Sequence, residues 1–309
     1  MQQPTNYEPG IFFNMPIKEY HKDGTLSNTS IKQLRKSPSV YWWNAPALNP
    51  LAEYTEPSKA MQDSDLFHML LLEPGRFAEN YVVMPGGKPL PGQRIIGKSR
   101  YDMLLKAVNL TKSKPRTGKL FQGGLCEVSF IARDSATGLL LAARPDYIKA
   151  SVVVDYKAHR SVAEHNVRQD IVSYGYDIQC GLGVTVVSEA RQQLLNKQAG
   201  VFCCAPDGSY WPADGYMTTE QEAWLAGFMA AGDTPLRFVY AFQEKAPPYI
   251  GATKEMGSDI FELGMAKVRE ALDVYCACLK EFGHEPWPDN EDVIELITLD
   301  DLPQRVFYT

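Results

Sequence analysis

Residues 144–157 read Arg-Pro-Asp-Tyr-Ile-Lys-Ala-Ser-Val-Val-Val-Asp-Tyr-Lys. Val152, Val153 and Val154 form a β-branched run, which favours a buried strand. Polar residues follow at once, at Asp155 and Lys157. Alternate residues of a strand point to one face, roughly 7 Å apart. Asp155 and Lys157 therefore share a face at the strand end, and Tyr156 takes the other. Residues 138–149 read as the partner strand of a hairpin or meander, which brings Asp146 to the same end. Two carboxylates and one amine gathered there suit a hard divalent cation with a water beside it. A surface Asp–Lys ion pair beside a turn Asp is the other reading of the same residues.

Working outward towards the N-terminus, residues 58–73 predict a helix. Met61, Leu66, Phe67, Met69, Leu70 and Leu71 form its broad apolar face, and Pro74-Gly75 ends it. His68 lies within it, and a lone helical histidine is usually a core residue with a satisfied hydrogen bond. Before it, residues 1–16 read as an extended lead-in. Residues 27–30 supply caps for a short helix at 31–36, stopped before Pro38. Val40-Tyr41-Trp42-Trp43 is a dense aromatic cluster of core type, and 44–57 reads as a loop. Residues 86–92 form a Gly/Pro-rich loop, 99–111 a helix and 113–118 a loop.

Towards the C-terminus, strands at 126–133, 139–149 and 151–156 are separated by a turn at 134–138. Residues 163–195 form one long helix or two, with a break expected at Gly181 and Gly183. Residues 198–216 read as an irregular or hairpin insertion. A helix at 218–231 has Thr218 as its cap, 236–243 is an apolar strand, and 259–282 is a long amphipathic helix before a Pro-rich acidic tail. This order predicts an α/β sandwich with a mixed central sheet. Neither G-x-G-x-x-G nor G-x-x-x-x-G-K-S/T occurs, which argues against a doubly wound nucleotide fold.

A chain of 309 residues can form one large or two ordinary domains. No apolar run reaches bilayer-spanning length, and residues 1–9 lack a basic-then-apolar signal, so the expected location is cytoplasmic, without a membrane. The six cysteines form no C-x-x-C pair, which argues against a zinc ribbon or redox dithiol. The net charge of −6 conceals a segregated distribution. From Lys88 to Lys119 nine basic residues face one acid, Asp102, while 285–301 is acidic. The basic stretch is either a phosphate-binding patch or a solvated helix face.

The pattern Pro145-Asp146, eight residues, Asp155-Tyr156-Lys157 resembles the PD-(D/E)xK nuclease signature. More narrowly, the chain resembles the RecE-type exonucleases (the exodeoxyribonuclease VIII nuclease domain) and their phage relatives. Three stretches carry the likeness: Tyr20-His21 through Ser37-Pro38; Leu66-Phe67-His68-Met69-Leu70-Leu71-Leu72-Glu73-Pro74; and Glu127, Thr137-Gly138, Arg144-Pro145-Asp146 with Asp155-Tyr156-Lys157. It covers about residues 12–180 and resumes at 238–243. It implies a restriction-endonuclease-like α/β core with a mixed central sheet flanked by helices, plus N-terminal helical elements. The whole chain is then one nuclease domain, with a helical part at about 1–120, a core at about 121–250, and a C-terminal helix and tail at about 251–309.

The resemblance further implies that Asp146 and Asp155 bind the metal, that His68 completes its shell, and that Glu127 is a ligand or stands beside one. Lys157 would orient or help deprotonate the water, and Gln179 would be the glutamine of the following helix. Mg²⁺ is the implied cofactor, with Mn²⁺ as a substitute. Some relatives hold an iron–sulfur cluster with one early and three late cysteines. No cysteine precedes Cys126 here and the late triplet is missing, so no cluster is expected. The implied activity is exonucleolytic digestion of linear double-stranded DNA, 5′→3′, in phage-type recombination. The implied partners are DNA ends, a single-strand annealing protein and further copies of the chain. A restriction-like or structure-specific endonuclease, and a non-catalytic DNA-binding protein, are the alternatives. Two departures bear on DNA contact. Ala158-His159 stands where relatives often have Thr-Thr, and Gly183 where many have a tyrosine, with Tyr174 or Tyr176 as replacements. Residues 184–231 are longer than in relatives.

Overall fold

The computed structural model describes residues 2–52 and 59–289. Its N-terminal part contains β1 (Gly10–Phe13), α1 (Ile17–Lys22), α2 (Asn28–Lys36), α3 (Pro38–Asn44), α4 (Lys59–Leu72) and α5 (Pro74–Asn80). A basic segment follows, with β2 (Tyr81–Met84), β3 (Arg94–Gly97), α6 (Lys98–Ser113) and α7 (Thr117–Leu120). The central strands are β4 (Leu125–Cys126), β5 (Ser129–Arg133), β6 (Leu140–Ala143), β7 (Tyr147–Ile148) and β8 (Val152–His159). Then come α8 (Glu164–Ser173), α9 (Tyr176–Leu195), β9 (Gly200–Cys204), β10 (Tyr210–Pro212) and α10 (Thr219–Ala230), and finally β11 (Arg237–Glu244), β12 (Gly251–Glu255) and α11 (Ser258–Glu281). The fold is α/β, with mixed sheets flanked by helices, as the sequence predicts.

Two five-stranded sheets form the frame, in the orders β10-β9-β1-β5-β6 and β12-β11-β8-β7-β4. One hairpin serves both. β5 and β6 pair in the first sheet, while β4 and β7, on the same two arms, pair in the second. Each arm thus changes sheet midway, at residues 127–128 on one side and 144–146 on the other. The cleft described below opens where these arms splay.

β8 is the strand of the valine run. It lies parallel to β11 and antiparallel to β7. Its alternation feeds two cores. Val153 joins Phe238, Tyr240 and Phe242 against Val186 of α9 and Leu272 of α11. Val154 and Tyr156 point the other way, to Leu66, Phe67 and Leu70 of α4 and Leu104 and Val108 of α6. The Tyr156 hydroxyl donates to Gln243 Oε1 at 2.7 Å, and Gln243 Nε2 donates to the Ala107 carbonyl at 2.7 Å. These buried polar bonds tie the second sheet to α6.

Two expectations are corrected. The lead-in contains β1, a central strand buried along its whole length, antiparallel to β5 and parallel to β9. Four residues are too few to show a period, and both partners lie far along the chain. The helix break falls at Gly175, not at Gly181 or Gly183. Gly175 adopts φ 62°, a left-handed conformation favoured by glycine. Gly181 sits inside α9 because α11 crosses there: a Cβ on it would lie 2.7 Å from the Met265 nitrogen. Gly264 answers from α11, where a Cβ would lie 1.9 Å from the Asp177 carbonyl oxygen. The glycines let two backbones touch, and that contact outweighs their low helix propensity.

The long segment 184–231 comprises the second half of α9, the β9–β10 hairpin at the edge of the first sheet, and α10, whose Trp224 and Phe228 pack on Phe130. The Thr218 cap is present, with its hydroxyl accepting from the Gln221 N–H. Tyr41 of the aromatic cluster is core, packed on Tyr275 and Trp287, but Trp43 is exposed. Most of the acidic tail, from residue 290, lies outside the described residues. Cys180, Cys203, Cys204 and Cys278 are buried free thiols, and Cys126 and Cys276 are half-buried. No described helix is long and apolar enough to cross a membrane.

Candidate active site

β7 and β8 set the first two carboxylates. Tyr147 pairs with Val154, so Asp146 stands beside Asp155 just before β7 begins. The Tyr156 N–H donates to Asp146 Oδ2 at 2.6 Å, a backbone bond that fixes this carboxylate. Asp155 is only 1% exposed. Its Oδ1 lies 2.5 Å from Lys157 Nζ, two residues on and on the same face. Its Oδ2 accepts from Gln179 Nε2, which α9 delivers from above the sheet. The Lys157 ammonium also lies 5.3 Å from the centroid of the Tyr176 ring and 5.8 Å from that of Tyr240.

α4 brings His68 from the opposite side. Its Nε2 lies 3.1 Å from Glu127 Oε1 and 3.3 Å from Asp146 Oδ1. Glu127 occupies the bend between β4 and β5 with φ 55°, a conformation that costs a non-glycine residue about 1–3 kcal/mol. The fold supports that strain with the bond from its N–H to the Asp146 carbonyl at 3.3 Å and with Arg144. Arg144 Nε reaches Glu127 Oε2 at 2.5 Å, and its Nη1 donates to the Met15 carbonyl at 2.6 Å. Removing one partner of a buried ion pair costs roughly 3–5 kcal/mol. Arg144, 8% exposed, is therefore the anchor that aims Glu127.

The structure thus gathers His68, Glu127, Asp146, Asp155, Lys157 and Gln179 around one cleft of about 460 Å³, which all but Lys157 line. It adds two residues to which the sequence reading gave no role. Arg144 is one. Glu73, just past the end of α4, is the other: one ligand atom each from His68, Glu73 and Glu127 lie within 4.8 Å of one another. That donor set, an imidazole and carboxylates beside Asp146, is of the hard type that could hold a divalent cation. Glu73 also pairs with Arg76 at 2.8 Å on the rim. The signal for Glu73 was its place in Leu72-Glu73-Pro74. On a continuous helix, residues five apart do not share a face, and only the kink at Pro74 turns Glu73 back towards His68.

The electrostatics divide the carboxylates. Burial, helped by the neighbouring Asp146 charge, pushes the Asp155 carboxyl up to about 6, against the pull of Lys157. Burial also opposes charge on Asp146, but His68, Lys157 and the Tyr156 N–H prevail and hold it below the ordinary range. Burial alone would lower His68; Asp146 and Glu127 override it and hold the imidazole protonated well above its usual value. Lys157 is likewise raised, because Asp155 and Asp146 outweigh its burial.

A cation at this cluster must displace the His68 proton, so occupancy should strengthen as pH rises. His68→Ala is expected to raise the Mg²⁺ or Mn²⁺ concentration needed for half-maximal activity by tenfold or more, and to flatten its pH dependence. With saturating Mg²⁺ to balance Asp146 and Glu127, thermal stability should change little. A loss of stability of about 1–3 kcal/mol with unchanged metal dependence would instead make His68 a packing residue.

No protein-family model and no curated protein sequence matches the chain. Among solved structures, it is similar to a crystal structure from Eubacterium rectale named "Putative exonuclease", with a TM-score of 0.52 and 14% identity over 91% of this chain and 93% of that chain. At this identity the likeness concerns the fold: a nuclease-like α/β architecture shared over nearly the full length of both chains.

Proposed function

We infer that the chain is a divalent-metal-dependent nuclease that degrades linear double-stranded DNA from its ends. The observation that carries this reading is the meeting of His68, Glu127 and Asp146 with the Asp155–Lys157–Gln179 group at the end of β8. His68, Asp146 and Glu127, with Glu73 at hand, would hold the cation. When bound, a divalent cation acts as a Lewis acid towards the phosphodiester and makes a water acidic enough to attack.

The chain's own groups do the rest. Lys157 stays an ammonium, so its part is positive charge beside the reacting phosphate rather than proton abstraction. Gln179 and Lys157 fix both Asp155 oxygens. Tyr240 in turn donates to the Tyr176 carbonyl at 2.8 Å and lies 3.4 Å from Gln179 Oε1, locking the glutamine's orientation. The basic stretch lies on β3, α6 and α7. Asp102, its one acid, is paired with Lys98 at 3.0 Å, which leaves the stretch strongly positive for phosphates.

The test compares covalently closed circular duplex with linear duplex of the same sequence, in Mg²⁺ and in EDTA, at low and moderate salt. Only the linear form should be digested, only with Mg²⁺, and less at higher salt. Rapid cutting of the circle would replace this reading with an endonuclease. Binding without cleavage of either form would replace it with a non-catalytic DNA-binding protein.

A further inference from the structure

The active-site cleft is bordered by α2 and α9. Asn28 and Thr29 of α2 line it on one side and Gln179 of α9 on the other. One helical turn further on, at the i+4 position on the face of Asn28, stands Lys32. One turn before Gln179, on the same side of α9, is Gly175. The two meet: a Cβ on Gly175 would lie 2.8 Å from Lys32 Cε, so the lysine stem lies directly on the glycine backbone. Lys32 thus packs across the start of α9, one helical turn from the cleft residues Asn28 and Gln179.

Lys32 is half-buried, yet among the described residues its ammonium has no hydrogen-bond or ion-pair partner. The two carboxylates that attract it, Asp155 and Asp177, are already engaged. Asp155 is held by Lys157 and Gln179, and the fully buried Asp177 by Lys267 at 2.5 Å. Burial, with Lys157 nearby, lowers its pKa to about 8. A partly desolvated cation without a counter-charge, beside the proposed reacting centre, has the chemistry to accept an anion from outside.

The same junction carries an aromatic row. Lys157 lies over Tyr240 and Tyr176, whose ring centroids are 5.1 Å apart. Tyr174 continues the row, 5.9 Å from Tyr176, and is 58% exposed. Exposed rings beside cationic groups bind single-stranded nucleic acid by base stacking and phosphate contact.

We propose that the α8–α9 junction is a nucleotide subsite for a DNA strand next to the scissile position, in which Lys32 takes a backbone phosphate and Tyr174 stacks the base. The proposal rests on the nuclease reading for the position of the subsite, but its ligand chemistry can be tested without cleavage.

The experiment measures binding of a fluorescein-labelled single-stranded oligothymidine by anisotropy in EDTA across a salt series, and cleavage of end-labelled linear duplex in Mg²⁺. Lys32→Met should weaken binding about tenfold and reduce the slope of log K against log salt by about 0.7, the share of one single-strand phosphate contact. Lys32→Arg should restore both. Tyr174→Ala should weaken binding about tenfold with the salt slope unchanged, and Tyr174→Phe should bind like the wild type. In cleavage, KM should rise more than kcat falls for both disruptive variants. Unchanged binding and salt slope in Lys32→Met and Tyr174→Ala would overturn the subsite, as would a wild type that does not bind the oligonucleotide. If the variants shift binding as expected but no protein cleaves linear duplex, the subsite stands and the nuclease reading falls.

Discussion

Asp155→Asn is expected to abolish Mg²⁺-dependent cleavage, with a loss of at least about a thousandfold, while the protein stays folded. Asn keeps the shape of the carboxyl and removes its charge. Asp155 is nearly inaccessible, so the site depends on this one anion to orient the Lys157 ammonium and the Gln179 amide. An amide can accept from Lys157 with its oxygen, but its NH₂ then faces the Gln179 NH₂, and Gln179 must rotate. That rotation costs about one hydrogen bond, roughly 1 kcal/mol, in addition to the loss of the Asp155–Lys157 charge pair.

The same variant carries a signature in stability. The folded pKa of Asp155, about 6, lies above the usual carboxyl value. The folded state therefore binds more protons than the unfolded state between pH about 4 and 6. Stability contributed by this group is present below that window and is lost as pH rises through it. The metal-free wild type should show that loss, and Asp155→Asn should lack it. A folded Asp155→Asn protein with undiminished turnover would remove this carboxylate from the mechanism.

Lys157→Ala is expected to cut turnover about 100- to 1000-fold with DNA affinity nearly unchanged. A charged donor placed at a reacting centre is worth roughly 3–4 kcal/mol. Lys157 is held in position from three sides, by Asp155 at 2.5 Å and by the Tyr176 and Tyr240 rings. Its loss also removes the counter-charge in contact with Asp155, which pushes the Asp155 carboxyl higher still. The residual activity should therefore peak at a higher pH than in the wild type. A variant that loses affinity and keeps its turnover would make Lys157 a phosphate clamp, the role assigned above to Lys32.

Local chemistry in the sequence determined much of this. Three consecutive β-branched residues followed by Asp-x-Lys specify a buried strand whose end presents a carboxylate and an amine on one face, because strand periodicity is a property of the backbone. Pro74 ends α4, and the Thr218–Gln221 capping box starts α10, because each acts within a few residues of itself. Asp146, Asp155 and Lys157 could be singled out as candidates by type and spacing, whereas His68, a lone histidine on a helix, became one only through the nuclease resemblance of its stretch.

Only the tertiary structure decided what depends on partners distant in sequence. Residues 10–13 form a strand because β5 and β9 flank them. Gly181 and Gly264 remain helical because α9 and α11 need them for contact, which no local propensity encodes. The bend at Glu127 and its anchor Arg144 follow from one hairpin dividing its arms between two sheets, and Glu73 meets His68 and Glu127 only because α4 stops before Pro74 and packs beside that bend. Burial then sets the charges: the same carboxyl group is pushed up at Asp155 and held down at Asp146, because only Asp146 has the imidazolium at its side.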